Sequence, residues 1–90
     1  MKYTIELSNR FKKSFKKLNT QEQEIFKEIV DKLANDEILD PKYKDHSLSG
    51  NFKNFRECHL KPDLLLIYQK QKDTLILYCL DVGSHSKLFK

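Results

Sequence analysis

Three histidines in a chain of 90 residues, His46, His59 and His85, are the side chains best suited to chemistry near neutral pH, because an unperturbed imidazole titrates there. They share the second half of the chain with Asp63, which follows Pro62, and with Arg56, three residues before His59. Imidazoles, a carboxylate and a guanidinium brought together can move protons beside a phosphate while the cation stabilises charge building on its oxygens. Each residue also has an ordinary structural use. His59 suits a satisfied imidazole in a strand, His46 a loop residue bonded to backbone, Asp63 an Asx turn, and Arg56 a partner for Glu57 or Asp81 on a neighbouring strand. Only convergence at one place would give the set catalytic meaning. Cys58 and His59 are adjacent, so a strand points them to opposite faces, and neither Cys-x-x-Cys nor His-x-x-x-His spacing occurs; no metal ligation and no cofactor are expected. Without a Gly-rich phosphate loop or a Gly-x-Ser-x-Gly elbow, P-loop hydrolysis and esterase chemistry are set aside. The only two cysteines, Cys58 and Cys79, are expected as buried thiols.

The elements that must position these residues follow from periodicity. Tyr3, Ile5 and Leu7 alternate as one face of a first strand. From Ser8 or Asn9, Phe11, Phe15 and Leu18 form the apolar stripe of a helix whose other face carries Lys12, Lys13, Lys16 and Lys17. Thr20 followed by Gln23 reads as a capping box for a second helix with Ile25, Phe26, Ile29, Val30 and Leu33 inside. After an irregular connection from Asn35 to Gly50, three strands are expected: Phe55 to Leu60, Leu64 to Gln69 with both faces apolar, and Thr74 to Val82. The order is β-α-α-β-β-β, an α+β two-layer sandwich whose antiparallel sheet is covered on one face by two N-terminal helices. In such a meander the C-terminal ends of the first and third strands lie at one edge, so His59 and His85 are expected to meet there, near Asp63. Arg56 falls on the opposite pleat from His59 unless a bulge intervenes.

Size and charge bound the function classes. A chain of 10.8 kDa supports one domain, residues 1–90, and no apolar run approaches a membrane span. Met1 to Leu7 lack the apolar region of a signal peptide, so the cytoplasm is the expected compartment. The net charge of +4 is unevenly spread. Residues 1–20 carry six cations against Glu6 alone, residues 21–41 are dominated by seven acidic side chains, and the rest of the chain is basic again. Clustered Lys and Arg on one face suit a polyanionic partner.

The run Tyr43-Lys44-Asp45-His46-Ser47-Leu48-Ser49-Gly50, then Phe55-Arg56-Glu57-Cys58-His59-Leu60-Lys61-Pro62-Asp63, then Gly83-Ser84-His85-Ser86 with Leu88-Phe89, resembles the YafQ branch of the RelE/ParE toxin superfamily. The resemblance spans nearly all of residues 40–89, whereas residues 1–39 add only the element order. It implies the toxin of a type II toxin–antitoxin pair, a ribosome-dependent endoribonuclease in which a 2′-hydroxyl attacks the adjacent phosphate of mRNA in the A site without a metal. By the same resemblance His46, His59, Asp63 and His85 match the catalytic set, and Phe89 a C-terminal aromatic that positions substrate. Arg56, Lys44 and Lys53 would then contact phosphate, and Lys12, Lys13, Lys16 and Lys17 ribosomal RNA. The implied partners are the ribosome, mRNA and a cognate antitoxin, a dimeric DNA-binding protein with an acidic tail, the toxin alone being a monomer. Leu64 and Phe52 stand where this branch can carry tryptophan. Two binding functions compete: a non-enzymatic, gyrase-poisoning toxin of the ParE type on the same scaffold, and a small RNA-binding domain. Neither needs the histidine set.

Overall fold

The computed structural model describes residues 2–89. Its elements are β1 (Thr4–Leu7), α1 (Asn9–Phe15), α2 (Thr20–Ala34), β2 (His46–Ser47), β3 (Arg56–Lys61), β4 (Leu64–Gln71), β5 (Ile76–Gly83) and α3 (His85–Leu88), with single 3-10 turns at Pro41–Tyr43 and Gly50–Phe52. Among the described residues no helix is long and apolar enough to cross a membrane.

The two-layer α+β architecture agrees with the expectation, but the sheet is mixed where an antiparallel one was expected. Its order is β1-β5-β4-β3-β2, with β1 parallel to β5 from Thr4↔Ile76 to Leu7↔Cys79. The meander makes β3 and β5 run the same way, so the helices act as a crossover between parallel strands at opposite sides of the meander. The added strand β2 pairs His46 with Glu57 and Ser47 with Arg56.

Caps set both helix starts. Ser8 accepts the Phe11 amide and donates its hydroxyl to the Leu80 carbonyl at 2.6 Å, so the residue that opens α1 also fastens it to β5. The capping box of α2 is Asn19 with Glu22, one residue ahead of the Thr20–Gln23 expectation. Asparagine is a stronger cap than threonine, and Gln23 instead donates its side-chain amide to the Phe15 and Leu18 carbonyls at and after the end of α1, tying the two helices together.

The helix-covered core joins Phe11 and Phe26, both buried, to Cys58, Leu60, Leu64, Leu66, Tyr68, Leu77, Cys79 and Val82 of the sheet. The ring centroids of Phe11 and Phe26 are 4.8 Å apart. The opposite face is also covered, which the expected single helical layer did not foresee. Leu65, Ile67 and Leu88 pack there with Leu48, Phe52, Phe55 and Leu80. This explains why β4 is buried without interruption from Leu64 to Tyr68.

One buried carboxylate links the layers. Asp81, 2% exposed, accepts from Ser14 Oγ at 2.6 Å, Arg10 Nε at 2.7 Å and the Val82 amide at 2.8 Å. Ser14 Oγ accepts in turn from Lys87 Nζ at 2.5 Å, tying α1 to α3. Ser14→Ala removes a donor from Asp81 and the acceptor of Lys87, and is expected to cost about 1–3 kcal/mol by urea denaturation. At the other end of α2, Asp36 takes Lys70 at 2.8 Å and Lys2 at 2.9 Å. The Lys70 bond first, then the Lys2 bond, lowers its carboxyl from 3.8 to about 2. Because the folded-state value is depressed, the stabilisation is present above the unfolded value and is lost as pH falls through about 2. Carboxyl NMR should place the Asp36 midpoint near that value in the native protein, and Lys70→Met should move it up.

Candidate active site

The pleat of β3 sorts its side chains. Arg56, Cys58 and Leu60 face the helices, whereas Glu57 and His59 face away, paired with Ile67 and Leu65 of β4. The β2 register sets His46 opposite Glu57 on that same outer face. His59 Nε2 lies 3.3 Å and His46 Nε2 3.6 Å from Glu57 Oε1. His46 Nδ1 is 2.6 Å from the Lys44 carbonyl, which requires its proton on Nδ1 and leaves Nε2 turned to Glu57.

His85 completes the group from β5 and α3. Its ring meets that of His59 at 5.8 Å between centroids and 66° between planes, as the meander geometry required. Asp63, in the β3–β4 turn, accepts the His85 amide at 3.3 Å and lies 3.7 Å from His85 Nδ1. Phe89 follows, 5.8 Å from His85 and 5.5 Å from Phe52 in an edge-to-face pair. Exposure rises from the inside outward: Glu57 4%, His59 16%, His46 50%, His85 57%, Asp63 73%. The result is a buried carboxylate behind two imidazoles, with a third imidazole and a second carboxylate at the rim.

Local sequence secures this geometry. Ser84 caps α3 by accepting the Lys87 amide, so His85 occupies the first helical position. Lys87 folds back across Gly83, where an added Cβ would stand 2.9 Å from the Lys87 Cδ and push that flexible side chain aside. Lys87 then reaches Ser14, anchoring the short helix that carries both His85 and Phe89.

Sequence reasoning missed Glu57 as a member of the site. The signal was its two-residue spacing from His59, which puts both on one strand face. Arg56 is the converse case. It neither joins the histidines nor pairs with Glu57 or Asp81; it lies on the helix-facing side, and its Nε donates to Asp45 Oδ1 at 3.2 Å. β3 is regular from Arg56 to His59, and its register shift comes only between His59 and Lys61. The pleat therefore keeps Arg56 and His59 apart.

The other expected residues divide by position. Lys44, in a left-handed conformation, borders a cleft of about 440 Å³ that Tyr43, His59, Leu60 and Pro62 also line. Lys53 is exposed just after the Gly50–Phe52 turn. Lys12 and Lys13 are exposed on α1 and Lys16 and Lys17 just after it, the helix ending at Phe15 ahead of the expected Leu18, and Lys13 and Lys17 share a second cleft with Arg10 and Lys87 above Asp81. Cys58 and Cys79 are free and buried as expected. Burial pushes the Cys79 thiol up to about 12 and the Cys58 thiol higher, so neither is a nucleophile.

The chain has clear relatives. The family described as "Bacterial toxin of type II toxin-antitoxin system, YafQ" matches residues 3–90. The protein named "mRNA interferase toxin YafQ" from Escherichia coli strain K12 is 34% identical over 88 residues, covering 94% of each chain. Among solved structures, a metal-bound toxin from Helicobacter pylori is similar at 46% identity and a TM-score of 0.86, over 97% of this chain and 99% of that one. The E. coli DinJ-YafQ toxin-antitoxin complex contains a chain similar over its whole length, at 30% identity and a TM-score of 0.84. With the family matched from end to end and the His46, His59, Asp63 and His85 motifs standing together in space, this chain belongs to the YafQ family of bacterial toxins of type II toxin–antitoxin systems.

Proposed function

We propose that this protein is an endoribonuclease that cleaves mRNA in the ribosomal A site, using acid–base catalysis by its own side chains. The observation that carries the reading is the convergence of His46, Glu57, His59, Asp63 and His85 from four separate segments, beside an exposed aromatic, Phe89. In the reaction the 2′-hydroxyl loses its proton as its oxygen bonds to the adjacent phosphorus, and the bond to the 5′-oxygen breaks as that oxygen gains a proton. His85, exposed at the rim, is the general acid for the leaving 5′-oxygen. His46 or Asp63 withdraws the 2′-hydroxyl proton, and His59 orients or shares the base. Glu57 lies beside both His46 and His59 and stabilises whichever imidazole becomes charged. Phe89 positions a nucleotide, with Lys44 and Lys53 beside the RNA backbone. Arg56, paired with Asp45, is left out of this phosphate set.

The exposed lysines of α1 and of the turn after it suit ribosomal RNA phosphates, a contact that weakens with added salt. A cognate antitoxin follows from the family and from the complex formed by the E. coli relative. An acidic tail on a dimeric, DNA-binding antitoxin would compete for the same basic surface, and the toxin alone is a monomer. Nothing in the His/Glu/Asp site requires a cofactor for this proton traffic, and the compartment is the cytoplasm, where ribosomes are.

The test is to express wild type and His85→Ala with a reporter mRNA and map 5′ ends by primer extension. Codon-phased cuts that need ribosomes and fall by about a hundredfold or more in the variant are expected. Growth arrest with no new 5′ ends would overturn the nuclease reading in favour of a binding toxin. Glu57→Gln keeps the shape of the buried group but removes its charge. It should lower the cleavage rate by about tenfold or more while leaving complex formation with an antitoxin intact, measured by primer extension and co-purification.

A further inference from the structure

The cluster left unexplained is the one on the helix-facing side of β3. Asp45 Oδ1 accepts two hydrogen bonds, from Tyr68 Oη at 2.5 Å and from Arg56 Nε at 3.2 Å. Tyr68 is 1% exposed and stands opposite Arg56 in the β3–β4 register, so the carboxylate is anchored to the middle of the sheet and not to a mobile surface. Burial, reinforced by Asp45, raises the Tyr68 hydroxyl above its ordinary value, so it remains a proton donor to that carboxylate.

Asp45 directly precedes His46. In an extended chain neighbouring side chains leave on opposite faces, so fastening Asp45 to the helix-facing side forces His46 onto the outer face where Glu57 lies. The residue before, Lys44, is held left-handed at φ 49°, and its carbonyl receives His46 Nδ1. β2 has only two residues, and two ladder pairs alone specify register weakly. A tether on Asp45 supplies what the short strand lacks.

We infer that Asp45, gripped by Arg56 and Tyr68, is a positioning residue that fixes the face and ring orientation of His46, so that its Nε2 is presented to Glu57. The role of Arg56 then lies in placing an acid–base group, not in contacting phosphate. The effect on cleavage rests on the reading of His46 as a proton-carrying group; the effect on the His46 ring does not.

Two readouts separate these. Two-bond nitrogen–proton NMR of the isolated protein, at a pH where imidazole is neutral, should show His46 as the single Nδ1–H tautomer. Asp45→Ala should give a mixture of tautomers, and Tyr68→Phe, which keeps the ring in the core and removes only the hydroxyl, a partial one. In a translation extract Asp45→Ala should slow cleavage by about tenfold to a hundredfold, but have no further effect in a His46→Ala background. An unchanged tautomer in both variants overturns the inference, as does an equal additional loss in the His46→Ala background. If Asp45→Ala does not fold, Tyr68→Phe carries both measurements. Should His46→Ala itself cleave normally, the catalytic role of His46 fails while the ring spectra still decide whether Asp45 positions it.

Discussion

The carboxylate of Asp81 is the point on which the two halves of the molecule depend. It is buried just past the end of the β1 pairing, where α1 packs against β5. A charge in that position is tolerated only with several donors, and it has them from a helix hydroxyl, a guanidinium and its own neighbouring amide. The same hydroxyl passes the constraint to Lys87, and so to the four-residue helix carrying His85. A helix that short has no stability of its own. Its position is set by Ser14, by the cap on Ser84 and by Leu88 packed on the outer face of the sheet.

The site repeats this logic with a different carboxylate. Glu57 is nearly as buried as Asp81, but its neighbours are two imidazoles in place of a permanent cation. Asp81 is matched by one guanidinium that stays charged, with a hydroxyl and an amide that cannot change charge, and therefore serves structure. The charge balance around Glu57 changes whenever His46 or His59 gains or loses a proton, which suits a group that supports proton transfer. Among the described residues no buried side-chain polar atom lacks a partner, so neither carboxylate is a defect of packing.

The pleat of β3 holds the two systems apart. Alternate residues send Arg56 to Asp45 and Tyr68 on one side and Glu57 with His59 to the outer face on the other. The outer face is closed by Phe52, Phe55 and Leu48 from the loop before β3 and by Leu88 from α3. The segments that cover the second apolar layer thus also carry or border the chemical groups. This couples site geometry to burial of apolar surface, a stronger force than any one of its hydrogen bonds.

By itself the sequence determined what is local. The period-two and helical patterns located β1, α1, α2 and the three meander strands within a few residues though not β2 or α3, the double-sided apolar run identified β4 as buried, and the short turns of the meander put His59 and His85 at one edge where they could meet. Motifs along residues 40–89 pointed to the family. The tertiary structure alone decided what depends on distant segments. Parallel pairing of β1 with β5, the second covered face, the capture of Glu57 between His46 and His59, and the diversion of Arg56 to Asp45 all join residues that periodicity cannot relate. Spacing along a strand tells which residues share a face, whereas the partner met on that face is set by strand register and loop packing across the whole chain.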